Sequence, residues 1–208
     1  MKGLVWLLLL ACSNAVTATS VATPTADIPP EEVADEVAAA LDGGDPTVVA
    51  ALTDLRPMPW VALAEGATVE EAAGIEAGQN SLAVADNFWT GFLESAGLAG
   101  DQVADIGAFT EGSTDFARLE LRSGSIILNQ SDAWRIDVIA SFAAPLAERL
   151  LGAVEVVVAN RSPEADVLRE MLRGQRDAVA VASADPSITA SARAAVEEVL
   201  AAIDSIDG

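Results

Sequence analysis

The segment Asp132-Ala133-Trp134-Arg135-Ile136-Asp137 follows a turn at Gln130-Ser131 and begins a stretch in which every second residue is apolar. This alternation predicts a β-strand over residues 133–142, because successive side chains of a strand point to opposite faces. One face would carry Trp134, Ile136, Val138, Ala140 and Phe142, and the other face Arg135 and Asp137.

Three further strands are predicted before it, over residues 103–109, 115–122 and 125–129. Glycine-containing turns at Glu111-Gly112-Ser113 and Ser123-Gly124 separate them. Short connections of this kind favour antiparallel neighbours. The expected sheet is therefore a meander of about four strands with one apolar and one charged face.

Helices are predicted on both sides of this sheet. Pro29-Pro30-Glu31-Glu32 and the capping box Thr68-Val69-Glu70-Glu71 are typical helix starts, and the second should begin a helix to about residue 95, with a break near Gly74 or Gly78. The two prolines of Arg56–Trp60 indicate a loop. After Phe142, three apolar stripes predict a region of three helices over residues 144–206, with residues 156–158 as a further candidate strand.

Helices followed by a meander that ends in Asp132-Ala133-Trp134-Arg135-Ile136 resemble the ketosteroid-isomerase-like cone fold, also called the nuclear-transport-factor-two-like fold. The resemblance covers residues 31–142 and implies an α+β domain whose curved sheet and long helix enclose a pocket. Packing of an ordinary core is the simpler explanation of the same apolar residues, because an apolar stripe at regular spacing needs no ligand. The residues that would line or plug such a pocket are Trp89, Phe92, Leu119, Leu121, Trp134, Ile136 and Val138.

Catalytic members of that family use an Asp together with Tyr or His, and this chain has neither Tyr nor His. No catalytic residue is therefore carried over. Asp105, Asp115 and Asp137 remain as lone acids, and the strand alternation places Asp137 on the solvent face, opposite Arg118 or Arg122.

The composition narrows the function further. Without histidine, and with one cysteine, the chain lacks the usual ligands of zinc and haem and the usual base of an activated nucleophile. We therefore predict no cofactor and no metal. The 32 acidic against 11 basic residues exclude a nucleic-acid partner, because the phosphates would be repelled. A basic protein partner would suit such a surface, although solubility or adaptation to salt is the simpler explanation of the charge. A small apolar ligand is the other possible partner.

The first residues, Met1-Lys2-Gly3 followed by an apolar run to Leu9-Leu10-Ala11-Cys12, resemble a bacterial lipoprotein signal. The resemblance implies a signal peptide over residues 1–11, cleavage after Ala11, acylation (palmitate among the chains) at Cys12, and a membrane of the cell envelope as the location. The alternative is an ordinary secretory signal cut after Ala18 or Ala22, which would give a soluble secreted or periplasmic protein.

The predicted organisation is thus a signal peptide, a flexible tether over residues 12–30, a cone-like domain over residues 31–142 and a helical region over residues 144–206. The predicted function is a membrane-tethered, non-catalytic binding or scaffold domain. The alternative is an enzyme that works with carboxylates alone, such as a cyclase, isomerase or glycan hydrolase.

Arg169, Arg173 and Arg176 recur at helical spacing and could form an anion site. Pairing with the acids Asp166, Glu170 and Asp177 along the same helix is the simpler interpretation.

Overall fold

The computed structural model describes residues 29–96, 105–121 and 124–207. Helices precede and follow one antiparallel sheet, so the predicted α+β class is confirmed. The predictions for Ala11, Cys12, Val103 and Arg122 lie outside the described residues. No helix in the described ranges is both long enough and apolar enough to cross a bilayer.

Five helices are described before the sheet. Proline occupies the first turn of three of them, where its missing N–H group costs no helical hydrogen bond. The five are α1 (Pro30–Gly43), α2 (Pro46–Ala51), α3 (Met58–Ala64), α4 (Val69–Glu76) and α5 (Ser81–Ala96).

Helix α3 corrects the prediction of a loop over residues 56–60. Pro57 is the N-cap residue and Pro59 lies in the first turn, so both prolines sit where a helix tolerates them. The indole N–H group of Trp60 is buried and donates to the carbonyl oxygen of Leu150 at 3.1 Å. This bond ties α3 to a helix that follows the sheet.

The sheet is an open meander in which each strand pairs with the next: β1 (Asp105–Glu111), β2 (Thr114–Leu121), β3 (Gly124–Gln130) and β4 (Trp134–Ile136). Leu119 pairs with Ile126, and Leu128 pairs with Ile136, so these residues share one apolar face as the alternation predicted. Helix α1 packs on both edge strands, β1 and β4.

The fourth strand is much shorter than predicted. It ends at Ile136 because the next residue, Asp137, caps helix α6 (Val138–Ala159) by accepting a hydrogen bond from the Ala140 N–H group at 2.9 Å. The predicted strand over residues 138–142 is therefore wrong, and this segment is the first turn of α6. An alternating apolar run is also compatible with a helix that is buried on most sides.

Helix α6 replaces β4 as the neighbour of the first half of β3. The N–H group of Asp137 donates to the Ile127 carbonyl oxygen at 2.8 Å, and the hydroxyl oxygen of Ser141 accepts from the Ile127 N–H group at 2.9 Å. These bonds satisfy backbone groups of β3 that β4 does not reach.

Four helices, instead of the predicted three, lie between residues 138 and 204, a range that the structure describes in full. Val156–Val158 belong to α6 and form no strand, and the predicted boundary at residues 142–144 falls inside the same helix. Gly174-Gln175 divides the second predicted helix in two. The remaining helices are α7 (Pro163–Gly174), α8 (Arg176–Ala184) and α9 (Ala190–Asp204), and α6 packs on all three.

Candidate ligand-binding site

A cavity of about 950 Å³ lies between α3, α4, α5 and α6. Small-molecule sites in proteins usually measure about 300–1,000 Å³ and are lined mainly by apolar side chains. The apolar part of this lining consists chiefly of Val61, Ile75, Val84, Phe88, Phe92 and Leu146.

One face of helix α5 forms the largest part of the wall. Val84, Asn87, Phe88, Gly91 and Phe92 line the cavity, and intervals of three and four residues place them on the same side of the helix. A Cβ atom at Gly91 would meet no heavy atom within 4 Å. Crowding therefore does not require a glycine there, and its missing side chain widens the cavity.

The bend between α4 and α5 gives the cavity its end wall. The N–H group of Gln79 donates to the Gly74 carbonyl oxygen at 3.0 Å, and that of Gly78 to Ile75 at 2.9 Å, which together form a Schellman motif. Gly78 and Asn80 both have positive φ angles, 89° and 59°. The predicted break near Gly78 is confirmed, and it turns Gln79 and Asn80 towards the cavity.

Three charged residues stand on the lining. Arg149 of α6 forms an ion pair with Glu65 at the end of α3, and about half of each side chain is exposed. Glu71 closes the predicted capping box of α4: its Oε2 atom accepts from the Thr68 N–H group at 2.8 Å and from the Thr68 hydroxyl at 2.9 Å. These bonds lower the pKa of Glu71.

Four aromatic rings contact one another at the apolar wall, and two of them line the cavity. Phe88 and Phe92 are nearly parallel, with ring centroids 5.7 Å apart, and Phe142 lies 4.3 Å from Phe92. Trp89 meets Phe88 and Phe92 edge-on and donates its indole N–H group to the Thr53 hydroxyl at 2.8 Å. Such contacts hold the two lining rings in fixed orientations.

A buried polar cluster lies at the junction of the α2–α3 connection, β3 and α6. The side-chain N–H groups of Asn129 donate to Asp54 at 2.8 Å and to Asp137 at 2.7 Å. Arg56 donates to both carboxylate oxygens of Asp54 and to the side-chain amide oxygen Oδ1 of Asn129, the latter at 3.2 Å. None of these four residues lines the cavity.

Asp137 is therefore 2% exposed, and the prediction that it faces solvent opposite Arg118 or Arg122 is wrong. Burial raises its pKa to about 6, although the bonds from Ala140 and Asn129 act in the opposite direction. Arg118 pairs instead with Asp185 at 3.2 Å. Two carboxylates do converge here, but on an amide and a guanidinium group, which is the arrangement of a structural network.

The other predicted site residues are distributed as follows. Phe92 lines the cavity, whereas six belong to the buried core: Trp89, Leu119, Leu121, Trp134, Ile136 and Val138. Asp105 and Asp115 are exposed, and Asp115 accepts a hydrogen bond from Thr110 at 2.8 Å.

The three arginines of the candidate anion site are engaged in ion pairs. Arg169 pairs with Asp166, and Arg173 with Glu170 at 2.8 Å, along α7 as the simpler interpretation required. Arg176 pairs with Asp204 of α9 at 2.7 Å instead of with Asp177. Two of these ion pairs lie within α7 and the third joins α8 to α9, so the three arginines do not form an open anion site.

No protein-family model matches the chain, and no curated protein or solved structure matches it significantly. Within residues 29–96, 105–121 and 124–207, no three acidic side chains are grouped so that they could hold a metal ion. The assignment of the candidate site therefore rests on the geometry of this chain alone. The resemblance of residues 31–142 to the cone fold stays a prediction.

Sequence reasoning missed most of the cavity lining. A signal did exist in α5, where Gly91 lies between Phe88 and Phe92 on one helical face, since an interior glycine costs a helix about 1 kcal/mol relative to alanine. The contributions of α3 and α6 could not be found in this way, because they depend on how distant segments pack.

Proposed function

We propose that this protein is a lipid-anchored component of a bacterial envelope that binds a small molecule with an apolar body and does not transform it. The observation that carries the binding is the cavity between α3, α4, α5 and α6, with its volume of about 950 Å³ and its apolar wall. The anchor rests on Leu9-Leu10-Ala11-Cys12, which would place the domain close to a membrane, where apolar molecules are concentrated.

The chemistry of the lining favours binding over catalysis. Arg149 and Glu65 neutralise each other, and Glu71 is occupied in a helix cap that lowers its pKa. A general acid at neutral pH needs the opposite, a raised pKa. The residue whose pKa is raised is Asp137, which lies outside the lining and accepts a hydrogen bond from Asn129.

Filling the cavity tests the binding. Gly91→Leu adds a side chain inside the cavity, where the Cβ atom meets nothing within 4 Å. The matched control is Gly152→Leu, a helical glycine of α6 with equally free space that lies away from the lining. Both variants and the wild type, as full chains in phosphatidylcholine nanodiscs, are titrated with 4-phenylbutanol by calorimetry, and empty nanodiscs give the blank.

We expect the wild type and Gly152→Leu to bind 4-phenylbutanol with the same affinity, and Gly91→Leu to bind it at least about tenfold more weakly, a loss of about 1.4 kcal/mol. Equal binding by all three chains, or no binding by the wild type at millimolar concentration, would overturn the proposed site. The fold of each variant is checked by circular dichroism.

Mass spectrometry of the mature N-terminus tests the anchor. Processing of the full chain in a bacterium with an intact lipoprotein pathway should leave Cys12 as the first residue, carrying acyl chains. An unmodified N-terminus at Thr19 or Thr23 would instead support the ordinary signal, and the anchor would be abandoned while the binding proposal stood.

A further inference from the structure

Resting on the binding function proposed above, we infer that the ligand is an amphiphilic cation, an apolar body that ends in an amine, and that Glu71 receives the amine. The cavity supplies a place for the body. The charges on its lining and the state of the Glu71 carboxylate determine the sign of the head group.

The lining carries two carboxylates and one guanidinium group. Because Arg149 is paired with Glu65, the remaining charge is the carboxylate of Glu71. An anionic amphiphile at Arg149 would meet the Glu65 carboxylate that already pairs with this arginine. A cation at Glu71 would meet a carboxylate whose hydrogen bonds come from Thr68 alone among the described residues.

The carboxylate of Glu71 is positioned to accept a hydrogen bond from a ligand. Both hydrogen bonds from Thr68 reach the same oxygen, Oε2, so the cap fixes the side chain without using Oε1. Oε1 receives no hydrogen bond from any residue that the structure describes. The bonds to Thr68 also keep the carboxylate ionised at neutral pH, because they lower the pKa of Glu71.

The rest of the lining suits an alkyl- or arylamine. Phe88 and Phe92 place two aromatic rings on the lining, and aromatic rings attract cations as well as apolar groups. The amide side chains of Gln79, Asn80 and Asn87 bring further oxygen acceptors to the same cavity. An ammonium group is a donor of three hydrogen bonds, and a carboxylate oxygen with one or two amide oxygens can accept them.

The charge of the whole chain acts in the same direction. With a formal net charge of −21, the protein attracts cations over several ångströms and repels fatty-acid-like anions. That contribution is common to the whole surface, however, so the experiment has to separate it from the contribution of Glu71.

Three probes with one body and different charges test the inference: 4-phenylbutylamine, 4-phenylbutanol and 4-phenylbutyrate. Glu71→Gln removes the charge of the acceptor and retains a side chain that can still close a capping box. The matched control is Glu70→Gln, which removes an equal charge from the adjacent, exposed residue of α4 outside the lining. Full chains in phosphatidylcholine nanodiscs are titrated by calorimetry.

We expect the amine to bind the wild type about two- to fivefold more tightly than the alcohol, as one solvent-exposed charge pair allows, and the butyrate to bind most weakly. Glu71→Gln should lose most of this preference for the amine and keep only the part that the net charge of the chain supplies, and Glu70→Gln should behave as the wild type. Equal affinities for amine and alcohol in the wild type would overturn the inference while the binding function stood. An equal loss in both variants would also overturn it, and no binding of any probe would end both proposals.

Discussion

Asn129 donates its side-chain amide to the buried carboxylate of Asp137 at 2.7 Å, and this bond links the third strand to the first turn of α6. The same amide nitrogen serves Asp54, which lies 75 residues earlier in the chain. A single amide thereby holds two carboxylates in the interior. The stability of the junction should depend on its donor and on the protonation of Asp137.

The pH dependence of stability should reveal Asp137. Its pKa is about 6 in the folded chain and 3.8 as the ordinary value, so the folded state binds the proton more tightly. The stability that this raised pKa contributes is fully present below about pH 4 and is lost as the pH rises through 6. The loss in the free energy of unfolding is about 3 kcal/mol, at about 1.36 kcal/mol per pKa unit.

Asp137→Asn should remove this slope, because asparagine caps a helix but does not titrate. Urea unfolding at pH 4 and pH 7 measures this slope. The free energy of unfolding of the wild type, relative to that of the variant, should be lower at pH 7 than at pH 4. Asp115→Asn, at an exposed position of β2, is the control, and an equal change there would contradict the assignment to Asp137.

Removing the amide of Asn129 should be far more costly than a usual strand substitution. Asn129→Leu keeps the approximate size of the side chain but removes one donor from each of two buried carboxylates, which then keep only Arg56 and the Ala140 N–H group, so we expect a loss of about 2–3 kcal/mol in the free energy of unfolding. Glu120→Gln, at an exposed position of β2, should change it by less than about 1 kcal/mol. Similar losses in the two variants, measured in urea, would argue against the network.

The turn between β1 and β2 requires glycine at position 112. Gly112 has a φ angle of 58°, and an added Cβ atom would lie 2.3 Å from the Asp177 carboxylate, which accepts from the Ser113 N–H group at 3.0 Å. Gly112→Ala should therefore lower the thermal midpoint by several degrees, since strain of this kind costs about 1–3 kcal/mol.

Gly107→Ala provides the comparison for that variant, because a Cβ atom at position 107 of β1 meets nothing within 4 Å. Its thermal midpoint should stay close to that of the wild type. Equal thermal midpoints for the two alanine variants would show that the contact between the turn and α8 does not contribute measurably to stability.

The ion pair between Arg149 and Glu65 should contribute little to folding. Both side chains are about half exposed, and such pairs are worth about 0–1 kcal/mol because water screens them. A double-mutant cycle with Glu65→Gln and Arg149→Gln, followed by urea unfolding, should give a coupling free energy within that range. A coupling above about 2 kcal/mol would indicate a pair shielded from water.

The local signals of the sequence were reliable where they concerned helix starts and turns. Proline at position 30, the capping box of Thr68 and Glu71, and the turn at Gly112 all appear in the structure as predicted. Each depends on a few neighbouring residues, whose backbone preferences are the same in most proteins.

The errors concern residues whose role is fixed by distant contacts. The alternation through Phe142 predicted a strand, but Asp137 accepts hydrogen bonds from the Ala140 N–H group and from Asn129, which begin a helix instead. Likewise, nothing near Asp54 in the sequence indicates that it meets Asn129. The cavity escaped prediction for the same reason, because it exists only where α3, α4, α5 and α6 diverge.

The early end of β4 has a further consequence for the edge of the sheet. Beyond Ile136 the edge of β3 is occupied by the first turn of α6, and Ile136 itself is bridged on its outer side by Thr53. A second molecule cannot add a strand along this side without first unwinding a helix. Among the residues that the structure describes, the other edge strand of the sheet is β1, whose ends carry Asp105 and Glu111, and like charges on stacked copies would oppose cross-chain pairing there.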